Sequence, residues 1–401
     1  MNILFLTSTL PRRAGDQQAA FVLDQARAWH AKRPGDRLYV LAPHDAGVAQ
    51  RETLDGIEVR RFRYMPREHL QTLAYPAILP NIRKKPLRAL QVLPFLWAQY
   101  AAARAIARDA EIDLVYAHWV MPQGLVAFAL RRFAGVPYVL QNHSSDLAVF
   151  AKFGRPGRAL ARLILRRCSA FFCVNSDQGA YAQSLMPGLS PTVLPMGVSL
   201  DLPRSSRSQS PQSARYAVGT ISRLSKKKGI HHLIDAAERL AAEGRHFTLG
   251  IAGDGEDARE LMAQPRASDS RFLGFLSGAE KADFFGDCYA MAFPSIDADG
   301  DVEGMPVSLL EALVSGKLVL ASSATNIRLL PEWPHIRGDV ELLEDPADTT
   351  AFSAALSRLL DLRECDAHAR GARLRDAMQH YAWDRVIERY LGVIDRVTAR
   401  R

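Results

Sequence analysis

Glu303-Gly304-Met305-Pro306-Val307-Ser308-Leu309-Leu310-Glu311-Ala312-Leu313-Val314-Ser315-Gly316 reads as a loop that turns into a helix and stops at a glycine. Proline has a helical φ and no amide hydrogen to lose, so the spacing predicts Pro306 in the first helical turn, with Leu309, Leu310 and Leu313 as a buried stripe. The first amides of such a helix have no partner inside it and point back toward Glu303. Its start is therefore an anion site, and Gly304 lets a ligand come close to the backbone. Glu311 lies two turns beyond Glu303. At about 1.5 Å of rise per residue the two carboxylates would stand roughly 12 Å apart in a continuous helix, too far to serve as acid and base on one bond. They suit the two ends of one elongated ligand whose phosphates lie near the helix start. Two surface carboxylates around a proline-started helix also occur without any ligand, so the surrounding chain has to decide.

Around this stretch, strands and helices alternate. Ala217 to Ser222, Phe247 to Ala252, Arg271 to Gly274, Ala290 to Phe293 and Leu318 to Ala321 read as strands, and Ile230 to Ala242 as a helix. That alternation implies a parallel, doubly wound sheet with its ligand beyond the carboxyl ends of the strands. Arg223 and Lys228 fall on the loop after the first of these strands, and Gly229 leads into the next helix. Two cations at a strand's carboxyl end suit a diphosphate. Gly253-Asp254-Gly255 follows the next strand, although this triplet is also common turn chemistry.

The first half repeats the pattern, with strands expected at Asn2 to Thr7, Leu38 to Ala42, Ile57 to Phe62, Asp113 to Ala117, Tyr138 to Gln141 and Phe171 to Val174. Asp16 is expected to cap a helix running through Phe21, Val22, Ala26 and Trp29. Three polar clusters fall at strand ends: Pro11 to Asp16, His118-Trp119, and Asn142 to Asp146. One such histidine is usually structural, whereas three clusters on one rim favour a site. Asp201 to Arg215, rich in Ser, Pro and Arg, reads as a linker. The expected organisation is thus a first domain over 1–200, a linker over 201–215 and a second domain over 216–382, with a final helix over 383–400 returning to the first. A chain of 401 residues is long enough for two such cores.

Composition narrows the function classes. The formal charge of +8 is split unevenly: residues 1–200 hold 25 Lys/Arg and 13 Asp/Glu, giving +12, which leaves −4 for the remainder. A basic first half suits an anionic surface, either nucleic acid or acidic lipid, or is simply a solvated basic face. Two segments combine cations with apolar residues, Arg83 to Ala107 and Lys152 to Arg167, and both fit shallow docking on an anionic leaflet or ordinary packing on a sheet. The longest apolar tract, Ala89 to Ala107, is interrupted by Gln91, Pro94, Gln99 and Arg104 and does not read as a membrane span. Four cysteines without a C-x-x-C pair read as reduced thiols of a cytoplasmic protein, and no zinc set is expected. Asp297, Asp299 and Asp301 surround a glycine in a loop and are not expected to hold a metal.

Arg223 with Lys228, Gly253-Asp254-Gly255, Phe272-Leu273-Gly274, and Glu303-Gly304-Met305-Pro306 with Glu311 occur in an order and spacing that resembles family 4 retaining glycosyltransferases of the GT-B fold. Asp113 to Trp119 and His143-x-x-Asp146 look like that family's acceptor-domain motifs. The resemblance implies two Rossmann-like domains facing a cleft, with a nucleoside-diphosphate sugar held mainly by the second and an acceptor mainly by the first. It implies that Arg223 and Lys228 hold the diphosphate, Glu311 the ribose, and Glu303 the transferred sugar, with Met305 and Pro306 presenting backbone to sugar and phosphate. It also implies that Gly253 and Gly255 line the donor, that His118 lies beside the sugar, and that Gly15 lets the first loop approach the diphosphate. Asp16, His143 and Asp146 would face the acceptor. Neither metal nor cofactor is expected, and the partners are a donor, a glycan or lipid-linked acceptor and an anionic membrane at its periphery, not nucleic acid. Residues 324–329 (Ala-Thr-Asn-Ile-Arg-Leu) depart from the family's Gly-Gly and Pro-Glu pattern, and Met196-Gly197-Val198-Ser199 departs from its Asn-Gly-Val-Asp. A non-catalytic nucleotide-sugar-binding subunit and a nucleotide-sugar epimerase are the alternatives; a phosphorylase lacks a recognisable pyridoxal phosphate lysine.

Overall fold

A computed structural model describes residues 1–13, 16, 20–143, 146–198, 210–264, 269–298 and 303–399. Gly15, most of the linker and Asp299 to Asp301 lie outside the described residues. The chain divides into two compact units, Met1–Met196 with Asp384–Arg401, and Gly197–Trp383.

The first unit is built on β1 (Asn2–Leu6), β2 (Arg37–Pro43), β3 (Arg51–Leu54), β4 (Ile57–Phe62), β5 (Leu114–His118), β6 (Tyr138–Asn142), β7 (Ala170–Cys173) and β8 (Thr192–Val193). They lie in the order β3-β4-β2-β1-β5-β6-β7-β8, parallel except for β3 against β4. Apolar residues such as Ile3, Leu4, Phe5 and Leu6 are fully buried, as expected of a parallel sheet covered on both faces. The antiparallel β3 was not foreseen from the sequence. It closes through Asp55-Gly56, both with positive φ, the pair that a two-residue hairpin with the right twist demands. The helix Ala20–Lys32 follows β1; Asp16 accepts from the amide and Nε of Arg12, and residues 17–19, where its expected capping would show, lie outside the described residues.

The second unit carries β9 (Tyr216–Ile221), β10 (Thr248–Ala252), β11 (Asp269–Gly274), β12 (Cys288–Phe293), β13 (Leu318–Ser322) and β14 (Val340–Leu343), all parallel, in the order β11-β10-β9-β12-β13-β14. Counting from β9, this is the 3-2-1-4-5-6 order of dinucleotide-binding sheets. Its topological switch point, where ligands bind, lies between β9 and β12. In the first unit the reversal lies between β1 and β5, where His118 ends its strand.

The helix Trp383–Thr398 belongs, from Asp384 on, to the first unit. Val386, Ile387, Tyr390, Leu391 and Ile394 form its buried stripe, and the Tyr390 hydroxyl donates to Leu194 O at 2.9 Å. Each buried side chain contributes about 1.5–3 kcal/mol. The exposed pairs Lys32–Glu388 and Arg33–Asp395 contribute at most about 1 kcal/mol each. Burial therefore holds this helix and the ion pairs trim its register.

Candidate functional site

At the switch point of the second unit, the loop after β9 carries Arg223 and the run Lys226-Lys227-Lys228, a short turn of 3-10 helix that ends at Gly229. Gly229 has φ +63, and a Cβ there would overlap the carbonyl of Pro294, so the lysine turn lies directly against the chain leaving β12. Ile296 N donates to Lys227 O at 2.8 Å and fixes the same contact. A small pocket results, lined by Thr220, Ser222, Lys228, Ser295, Pro306 and Ser308.

Glu303 reaches this loop. Its carboxylate stands 2.8 Å from Lys228 Nζ and 3.7 Å from Lys227 Nζ, with only 10 % of its side chain exposed. Burial pushes the Glu303 carboxyl upward, but the two lysines outweigh that and hold it below the ordinary value. The group is a charged carboxylate at neutral pH. Two cations and one anion leave this cluster with one net positive charge, the sign an incoming phosphate needs. Arg223 is partly exposed and pairs with Glu256 at 2.9 Å.

Pro306 is not in the first helical turn as the sequence suggested. Its ψ of 123 is extended, and it caps the helix Val307–Ser315, accepting at its carbonyl from the amides of Leu309 and Leu310. The amides of the first turn point out of the helix beside the pocket that Pro306 and Ser308 line. Met305 is buried. Glu311, on the same helix, is buried and pairs with Lys281 Nζ at 2.5 Å. Gly316, with φ +72, ends the helix.

Gly253 and Gly255 pack against the Arg223 loop. Gly253 sits at φ +130, and a Cβ on either glycine would overlap a backbone carbonyl, that of Ser222 or that of Leu224. Ser222 N donates to Ala252 O and Leu224 N to Asp254 O, so the Gly-Asp-Gly turn is a template for the loop beside it.

Three participants escaped sequence reading. Lys227 was visible in the lysine run, but nothing local says which lysine meets Glu303. Lys281 comes from the distant helix Gly278–Asp287. Asn326 lies in the segment that departs from the family pattern; it holds φ 62, and its Nδ2 donates to Glu303 O at 2.5 Å and to Gly304 O at 3.2 Å. The departure therefore supplies a clamp on the Glu303 loop. Asn326→Gly keeps the positive φ and removes only the amide. It is expected to cost about 1–2 kcal/mol in unfolding free energy, measured by urea denaturation.

In the first unit, His118 is fully buried and its Nδ1 lies 3.0 Å from His143 Nε2, with the rings stacked at 10°. Desolvation drives His118 well below its ordinary value, reinforced by His143, and desolvation lowers His143 to about 3. Both rings are neutral at pH 7, one nitrogen donating to the other. Asp146 accepts from Val120 N at 2.6 Å and from His143 N at 3.2 Å. It thereby ties the end of β6 to the turn at Trp119, whose φ of 70 is unusual for a bulky residue. Because the folded histidines resist protonation, the unfolded chain takes up protons first as pH falls. Their stabilisation is complete above about pH 6.5 and is lost below it, by roughly 1.4 kcal/mol per pH unit for each ring. Urea denaturation at pH 7.5 and 5 is expected to show this loss, and His143→Asn to lessen it.

Residues 215–362 match the family model described as Glycosyl transferases group 1, and residues 18–202 the model described as Glycosyltransferase Family 4. TuaC of Bacillus subtilis (strain 168), whose name provisionally assigns it as a teichuronic acid biosynthesis glycosyltransferase, is 24 % identical over 373 residues, 89 % of each chain. The 2-deoxystreptamine glucosyltransferase of Streptomyces kanamyceticus is 26 % identical over 63 % of this chain and 71 % of its own length. Among solved structures, the α,α-trehalose-phosphate synthase of Burkholderia xenovorans superposes with a TM-score of 0.71 at 13 % identity, covering 98 % of this chain and 99 % of that one. The α,α-trehalose 6-phosphate synthase of Burkholderia multivorans gives 0.69 at 15 % identity over 100 % and 97 %. At such identities the likeness shows the fold, GT-B. With both halves matched by its models, the chain belongs to the group 1, family 4 glycosyltransferases.

Proposed function

We propose that the protein is a retaining, metal-independent transferase that moves a sugar from a nucleoside-diphosphate sugar to a glycan or lipid-linked acceptor in polysaccharide or glycoconjugate synthesis. The observation that carries the proposal is the Lys227-Lys228-Glu303 cluster beside the helix start at the switch point of the second sheet. Lys228 and Arg223 hold the diphosphate and stabilise the charge that develops as it departs, a role for which preorganised cations suffice. Glu311 takes the ribose end and Glu303 the sugar end, while Met305 and Pro306 present backbone to the sugar and phosphate. Gly253 and Gly255 act through the loop they shape. His118 stands by the sugar as a neutral ring, and Asp16, His143 and Asp146 shape the acceptor side.

Glu303 is tied to two lysines and so is poorly disposed to attack carbon, which favours a single-face displacement over a glycosyl-enzyme. In that step the C1–O bond to the diphosphate breaks and a C1–O bond to the acceptor hydroxyl forms on the same face. The acceptor proton leaves on the departing phosphate oxygen. The names of relatives such as TuaC and the amylovoran biosynthesis glycosyltransferase of Erwinia amylovora support polysaccharide synthesis as the setting. A cytoplasmic location with peripheral contact at an anionic membrane is part of the proposal. None of the helices among the described residues is long and apolar enough to cross a membrane.

The test is a panel of nucleotide sugars and acceptors, read by acceptor-dependent release of nucleoside diphosphate in the presence of EDTA and by the anomeric proton coupling of the product. Retained configuration without added metal is expected. Tight donor binding with no turnover on a broad acceptor panel would instead mark a non-catalytic sugar-nucleotide-binding subunit.

A further inference from the structure

The first unit leaves an apolar ridge uncovered. The 3-10 helix Pro86–Gln91 runs into the helix Val92–Asp109, and together they display Leu87, Leu90, Leu93 and Trp97, exposed by 81, 76, 76 and 70 %. Leu87 and Leu90 are one 3-10 turn apart, and Leu90, Leu93 and Trp97 fall on one side of the continuing helix. The opposite side of that helix buries Phe95, Ala103 and Ile106 in the sheet. The element therefore has two apolar faces, and the fold covers one. Large aliphatic and tryptophan side chains gathered on a surface mark an interaction site.

Charge identifies the occupant. Residues 69–108 contain no Asp or Glu and six Lys/Arg. Arg83, Lys84 and Lys85 are exposed at the start of the ridge, and Arg104 is exposed two turns past Trp97. Cations at both ends of an apolar ridge match a bilayer surface, with aliphatic side chains at the acyl boundary and ammonium and guanidinium groups at lipid phosphates. Trp97, its ring 6.1 Å from that of Tyr100, fits the headgroup level where tryptophan and tyrosine concentrate. The other basic segment, Lys152 to Arg167, exposes one large apolar side chain, Phe153, in place of a ridge of four, and its helix buries Gly157, Ala161, Ile164 and Leu165 against the fold.

We propose that the Leu87-Leu90-Leu93-Trp97 ridge docks the protein on a bilayer rich in anionic phospholipid. This deepens the membrane contact proposed above and rests on that reading, but it does not depend on the transfer chemistry. The test is cosedimentation of the full chain with vesicles of phosphatidylcholine alone or mixed with phosphatidylglycerol, alongside transfer to a water-soluble acceptor. Binding to the anionic vesicles is expected. Leu90→Ser with Trp97→Ser should weaken it about tenfold or more at every salt concentration, while melting temperature and transfer to the soluble acceptor stay unchanged. Lys84→Gln with Lys85→Gln should weaken it at low salt only, where screening is least. Failure of the wild-type chain to bind anionic vesicles at low salt would overturn the proposal, as would binding that survives the apolar double variant. A dimer in light scattering that Leu90→Ser disperses would assign the ridge to a second copy and overturn it equally. Any of these results with transfer intact leaves the enzyme reading standing.

Discussion

Lys228→Ala is expected to lower kcat/KM for sugar transfer about 10²–10³-fold, the usual loss when one preorganised donor to developing negative charge is removed. Lys228 is the nearer of two cations on a buried carboxylate, so the substitution also leaves Glu303 with Lys227 alone at 3.7 Å. Removing one partner of a buried ion pair is destabilising because the remaining charge is left uncompensated. Two effects are thereby mixed in one variant, and a second substitution separates them. Adding Glu303→Gln removes the orphaned charge, and the double variant should recover the melting temperature lost by Lys228→Ala without recovering transfer. Recovery of both would mean that Lys228 acts only by neutralising Glu303 and not on the departing diphosphate. Differential scanning fluorimetry and initial rates on the four proteins of the cycle give the answer. Acid should mimic the loss. The Glu303 carboxyl is held below its ordinary value of 4.5, so the pair's contribution is complete above that value and is lost as pH falls through the lower folded value.

Glu311→Gln is expected to raise the donor KM about 10- to 100-fold with a smaller change in kcat, since hydrogen bonds to a charged group are worth roughly 1.5–3 kcal/mol. The prediction follows from the position of Glu311 on the helix whose start borders the pocket proposed for the diphosphate, and from its buried pair with Lys281. Lys281 orients the carboxylate, so Lys281→Ala should raise KM less than Glu311→Gln does. Glu303→Gln should show the complementary pattern, a lower kcat with a modest change in KM, because the proposed donor orientation puts that carboxylate at the sugar end. Steady-state kinetics with the donor varied at saturating acceptor distinguishes them. Equal loss of donor affinity in both glutamate variants would contradict the division of the ligand into nucleoside and sugar ends.

The strand and helix pattern was legible because parallel strands buried on both faces read as short apolar runs, and β1, β5, β6, β9, β12 and β13 lie within two residues of where the runs place them. The elements missed are those with a weak local signal. In β3 the pattern is Arg51-Glu52-Thr53-Leu54, polar because the strand forms a sheet edge, and only the following Asp55-Gly56 advertises its hairpin. β8 has two residues, and β14, Val340–Leu343, is a short edge strand beyond β13.

The Glu303 to Gly316 stretch shows the same division at the site. By itself the sequence determined a helix that starts at the edge of a proline, ends at a glycine, and carries one carboxylate before its start and one about a turn in. Those are local consequences of backbone geometry and of apolar spacing. What the carboxylates touch was decided by the tertiary structure alone. The strand order that sets β9 beside β12 brings the lysine turn to Glu303, another helix brings Lys281 to Glu311, and the turn after β13 brings Asn326 to the Glu303 loop. Each partner is separated from its carboxylate by more than twenty residues of chain, and local propensity carries no information across such a distance. Only the register of a packed parallel sheet fixes it.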